Sequence, residues 1–95
     1  MRRHYLITYD VSDDKRRTQI FETLKDYGDH VQYSVFFCDL NTLELAQLRT
    51  LIHPLVNANE DQVMFVDLGP DHAPLQAGLE CLGKPYDPPI RTMII

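Results

Sequence analysis

No apolar run in the sequence approaches the ~20 residues that a membrane-spanning helix needs, which sets aside a membrane protein. A secretory leader is not evident either. Arg2 and Arg3 open a strand-like run that reaches Asp10 before a leader-sized apolar core can form. The expectation is a cytoplasmic protein, in a compartment where Cys38 and Cys81 stay as thiols. These cysteines lack metal-ligand spacing, as do His4, His30, His53 and His72, which argues against zinc. Internal repeats and low-complexity segments are missing. Bases are scarce: nine Lys and Arg against fourteen Asp and Glu give a net charge of −5. That excludes a generally basic protein that coats nucleic acid.

What remains is the composition of one small globular domain. The chain has 95 residues, 44% hydrophobic and 24% charged. A core over about residues 3–70 and a tail over 71–95 form a single unit. A chain of this size buries only about 60–65% of its unfolded surface, so its core is small but adequate. The few bases are unevenly placed. Arg2, Arg3, Lys15, Arg16 and Arg17 all fall within the first 17 residues, which predicts a local basic patch whose binding would depend on salt.

Periodicity predicts alternating strands and helices. Tyr5 to Val11 is β-branched, aromatic or aliphatic except at Thr8 and Asp10, a buried strand. Ser12 is placed to cap a helix, with Asp13 and Asp14 suiting its positive end. Ile20, Phe21, Leu24 and Tyr27 share one helical face, and Gly28 is the expected stop. HVQYSVFFCDL follows, either one long strand or two short ones broken near Ser34. A second helix starts with Asn41 as cap, Glu44 as its capping-box partner and Leu40 with Leu45 as a hydrophobic staple. Its stripe runs through Leu45, Leu48, Leu51, Ile52 and Leu55 until Pro54 disturbs the end. DQVMFVDLG is another strand, closed by Gly69-Pro70; the tail is Pro-rich and irregular, ending in IRTMII, a terminal strand candidate.

This pattern implies a sandwich with both helices on one face of a sheet. The other face is then apolar and uncovered, a surface that invites a second copy. TMII is a natural element for reaching across to a partner's edge. Asp10 sits where a strand ends and a loop begins, a common place for ligands in folds of this kind. A single carboxylate is too little for magnesium, which takes one or two together with waters and substrate phosphates. A two-fold dimer would supply the second as the symmetry copy of the first.

YDVSDDKRR followed by YGDHVQYSVF resembles the small CRISPR-associated adaptation protein, the nuclease-like partner of the CRISPR integrase. The shared parts are Tyr9-Asp10, Arg16-Arg17, Gly28 and Val31-Gln32-Tyr33-Ser34-Val35-Phe36, in that order, within roughly residues 3–68. The resemblance implies an α+β fold, a ferredoxin-like βαββαβ sandwich with two helices on one face of an antiparallel sheet. It implies that HVQYSVFFCDL splits into two strands, and a homodimer with the C-terminal strand at its interface. It further implies a magnesium- or manganese-dependent endonuclease with Asp10 as catalytic and metal-binding residue. Tyr9, Arg16, Arg17, Ser34 and Phe36 become the candidates for contact with nucleic acid, DNA or also RNA. The dimer would bridge integrase subunits during spacer acquisition.

The bland reading of each residue stands beside this one. Packing alone accounts for Tyr9, which alternates with Ile7 and Tyr5; Arg16 and Arg17 fit a solvated helix face; Ser34 fits a strand break; Phe36 fits the core. His30 stands where the family often has a base, which weakens a phosphate contact near neutral pH, since histidine is mostly neutral above ~6.5. Two other functions compete with a nuclease: a non-catalytic scaffold in the integration complex, and an unrelated ferredoxin-like toxin ribonuclease.

Overall fold

The computed structural model describes residues 1–87. Four strands and two helices follow one another as β1 (Arg3–Asp10), α1 (Asp14–Lys25), β2 (Gly28–Gln32), β3 (Val35–Leu40), α2 (Thr42–Ile52) and β4 (Gln62–Pro70). The strands form one sheet in the order β2-β3-β1-β4, every neighbour antiparallel. This is the ferredoxin-like βαββαβ arrangement, and the long apolar stretch after α1 is two strands. The break is a turn at Tyr33-Ser34, where Ser34 takes a left-handed φ of 61°. A non-glycine residue adopts that conformation at some cost, so the turn holds local strain.

Strand alternation builds the core. Tyr5, Ile7 and Tyr9 of β1, with Phe36, Cys38 and Leu40 of β3, point to the helices. There they meet Ile20 and Leu24 of α1 and Leu45, Leu48 and Ile52 of α2. Leu51, placed on that stripe by periodicity, is instead exposed. The capping box of α2 forms as expected: Glu44 N–H donates to Asn41 Oδ1 at 2.8 Å, and Asn41 N–H to Glu44 Oε1 at 2.9 Å. Leu40 and Leu45, the expected staple, are both buried.

Two helix boundaries differ from the sequence reading. Asp13, not Ser12, caps α1, its carboxylate accepting from Arg16 N–H at 2.9 Å. Either residue is a good cap, so composition does not separate them. Gly28 does not stop α1, which ends at Lys25; it opens β2. It is needed there because a Cβ would stand 2.3 Å from Cys38 Sγ and 2.5 Å from the Phe37 carbonyl oxygen. Gly28→Ala is expected to force β2 off β3 and cost about 1–3 kcal/mol, the range for overpacking. Urea unfolding would show the lowered midpoint, and an unchanged midpoint would contradict the close approach.

The opposite sheet face carries Leu6 and Thr8 of β1, Phe37 of β3, and Met64, Val66 and Leu68 of β4, the last three substantially exposed. It is not wholly bare. The tail folds back so that Pro74, Leu75 and Leu79 face His4, Leu6, Phe37 and Leu68 across a groove of about 520 Å³. Tyr86 adds an edge contact to Phe37 at 6.0 Å between ring centres. The Met64–Val66 stretch lies outside that groove. The terminal strand expected within IRTMII lies outside the described residues. Among the described residues, no helix is long and apolar enough to cross a membrane.

Candidate nucleic-acid and metal site

Asp10 is the last residue of β1, exposed and paired in register with Gln62 of β4. Because β1 alternates, Asp10 falls on the open face with Leu6 and Thr8, while Tyr9 turns to the helix side. The two halves of the Tyr9-Asp10 pair therefore serve different surfaces. Among the described residues, no three His, Cys, Asp or Glu side chains gather into a metal-binding group. Asp10 offers the hard oxygen ligand that magnesium or manganese prefers. Each chain offers one such carboxylate at the end of β1.

Tyr9, Arg17 and Ser34 come together on the helix side. The Tyr9 N–H donates to the Ser34 carbonyl at 3.1 Å, and the two side chains also share a hydrogen bond. Burial pushes the Tyr9 phenol above its ordinary value, only partly offset by that bond to Ser34, so it stays protonated near neutral pH. These three residues line a cavity of about 150 Å³ together with Thr18, Phe21, His30 and Tyr33. His30 presents its ring edge-on to Phe21, with centres 5.0 Å apart, and lies 5.0 Å from Phe36. Strand alternation sets His30 on this side of β2, opposite Phe36 and on the same side as Gly28.

The expected basic patch divides in space. Arg2 and Arg3 stand at the start of β1, roughly 23 Å from its end at 3.3 Å per residue. They pair with Asp39 and Glu44, and with Asp67. Near Asp10, the two arginines have different occupations. Arg16 forks onto Asp61, with Nε–O 2.7 Å and Nη2–O 3.1 Å, and also reaches Glu60 at 3.1 Å. The Asp61 side chain is 0% exposed, and it also accepts the Asn57 N–H at 2.9 Å. Arg16 thus pins the start of α1 to the loop that enters β4. Arg17 donates to the Val11 carbonyl at 3.0 Å and pairs with Asp14, a residue of its own helix. Phe36, the remaining candidate, is 0% exposed in the core, so a base reaches its ring only if the core opens.

The Arg16 guanidinium, with the Asn57 N–H, holds the Asp61 carboxyl below its ordinary value of 3.8. A depressed carboxyl pKa contributes stability above the unfolded value, and that stability is lost as pH falls through the lower folded value. The clamp should therefore persist at pH 5 and weaken below about 3.8. Arg16→Ala should lower the thermal midpoint at neutral pH and flatten its fall on the acid side. Arg16→Lys should restore only part, because an ammonium cannot fork onto both Asp61 oxygens. An Arg16→Ala protein as stable as wild type would contradict a structural role.

Sequence reasoning did not name Asp61, Thr18, Phe21 or Tyr33 as site residues. Asp61 lies 45 residues from Arg16, and only the tertiary fold brings it near. Tyr33 carried a usable signal, a bulky aromatic at the break between two strands.

The family model described as CRISPR associated protein Cas2 matches residues 2–73. The chain is 32% identical over 91 residues to the CRISPR-associated endoribonuclease Cas2 of Geobacter sulfurreducens, a match covering 96% of this chain and 95% of that protein. The crystal structure of Streptococcus pyogenes Cas2 is similar, with a TM-score of 0.73 and 29% identity over 84% of this chain and 99% of that one. A chain of a partial Cas6-RT-Cas1–Cas2 complex is also similar, with a TM-score of 0.65 and 33% identity over 90% of this chain and 96% of that one.

Proposed function

Because this chain belongs to the Cas2 family of CRISPR-associated proteins, we propose that it is a CRISPR adaptation protein that works as a homodimer, holds nucleic acid and cleaves it with a divalent metal. One observation carries this reading: Asp10, the sole carboxylate of β1, lies at the rim of the open apolar face. A second copy packed on Met64 and Val66 about a two-fold axis would approach the first on the side where Asp10 stands. The face that calls for a partner and the carboxylate that lacks one are the same surface. The unrelated toxin reading falls with the family assignment.

Paired Asp10 carboxylates would hold magnesium or manganese, and the ion would polarise a phosphodiester and activate water there. The relative from Geobacter sulfurreducens is named an endoribonuclease, which favours RNA among the substrates. The similar chain in a complex with Cas1 supports an integrase partner, bridged by this dimer. Incubation of labelled single-stranded RNA and duplex DNA with the purified protein, with manganese or with a chelator, tests the reading. Metal-dependent cleavage is expected. A protein that binds the integrase but cuts neither substrate under any metal condition would be a scaffold.

A further inference from the structure

We propose that the cavity beside Tyr9 receives one unpaired nucleobase, so that the protein grips single-stranded nucleic acid by a nucleotide turned out of its stack. This rests on the nucleic-acid function proposed above and names the form of strand that the site prefers.

Size sets the first limit. A volume of about 150 Å³ equals roughly five waters at liquid density. It falls below the ~300–1,000 Å³ of pockets that enclose drug-sized molecules, so the cavity suits one ring system. Its walls suit a flat one. Phe21, His30 and Tyr33 present three rings, two of them meeting edge to face. Tyr33 is 78% exposed at the rim, a large aromatic that the core does not use. The strained Ser34 beside it fixes the turn that puts it there. An exposed ring at a turn is open to a base on its face.

The polar groups fit a base better than a phosphate. Arg17 is the sole arginine or lysine lining the cavity, and its charge is already shared with Asp14. That pair is open to water, with the Asp14 side chain 92% exposed, so it is weak and leaves the guanidinium able to take another acceptor. Four of the other lining residues, Tyr9, Ser34, Tyr33 and Thr18, carry neutral hydroxyls, groups that both donate and accept. Neutral two-way partners match the mixed edge of a heterocycle, whereas a phosphate needs more positive charge than this cavity holds. The cavity and Asp10 lie at the same end of β1. They open on opposite faces of the sheet, so a strand whose base sits against Tyr9 would have to pass around that end of β1 to reach the carboxylate.

The test is fluorescence anisotropy with three probes under a chelator: a single-stranded RNA oligonucleotide, the same strand with abasic sites, and its duplex. Stacking of one base contributes enough that its loss reduces affinity about tenfold or more. The intact strand should bind about tenfold more tightly than the abasic one. Tyr33→Ala should remove that difference by weakening the intact strand alone, and Tyr33→Phe should keep most of it. Tyr33 is exposed, so these variants should fold. Equal binding of intact and abasic strands, with Tyr33→Ala unchanged, overturns the base pocket and leaves the nucleic-acid function standing. Failure of the wild type to bind any of the three probes overturns both.

Discussion

Asp10→Asn should abolish metal-dependent cleavage while leaving fold and dimer intact. The substitution keeps size and one oxygen but removes the charge that draws a divalent ion. Asp10 is exposed at a strand end, and among the described residues the core is built without its side chain. Unfolding in urea should therefore match wild type closely. Loss of a metal-held carboxylate from both chains of a dimer removes two ligands at once, so activity should fall by more than about a hundredfold, the scale of losing a principal electrostatic stabiliser. Added manganese should recover little. Retained cleavage by Asp10→Asn would move the chemistry away from β1 altogether.

The second large effect concerns the open sheet face. Val66→Glu puts a carboxylate in the centre of the face assigned to the dimer, and Met64→Glu does so two residues away on the same side. In the monomer both positions are substantially exposed, so each variant should fold. In a dimer the new charge would be desolvated without a partner, a cost of several kcal/mol. Wild type should sediment at micromolar concentration with twice the 11.1 kDa chain mass. Val66→Glu should sediment as a single chain. It should also lose cleavage, although Asp10 is untouched, because each carboxylate loses its mate. A monomeric variant with full activity would separate the dimer from the site.

The elements that rest on local chemistry were legible in the sequence. The capping box at Asn41 and Glu44, the staple of Leu40 on Leu45 and the alternation of Tyr5, Ile7 and Tyr9 each depend on residues close in the chain. What required the fold was longer in reach. The split within residues 30–40 depends on Ser34 adopting a left-handed conformation that its residue type does not announce, where Gly or Asn would. The resemblance, not the residues, implied it. Gly28 reads as a helix stop because glycine often is one, yet its cause is Cys38 on the adjacent strand. The five clustered bases are near one another in the chain but not in space, because β1 carries Arg2 and Arg3 to the far end.

The candidate site divides along the same line. Asp10 was found from its place at a strand end, and the structure adds which face it takes. Tyr9, Arg17 and Ser34 were singled out by resemblance and do come together around one cavity. Arg16 is drawn into the clamp on Asp61, and Phe36 into the core. A sequence motif preserves residues for packing and for chemistry alike, and only burial and partners tell them apart.

The central claim is that two Asp10 carboxylates meet across a two-fold axis and share a divalent ion. The stoichiometry of manganese binding tests it most directly, read from the loss of the free-ion signal in electron paramagnetic resonance as protein is titrated. The account predicts one bound ion for every two chains, with binding lost in Asp10→Asn and in the monomeric Val66→Glu. Binding that persists unchanged in Asp10→Asn, or one ion per chain retained by the monomer, would contradict it.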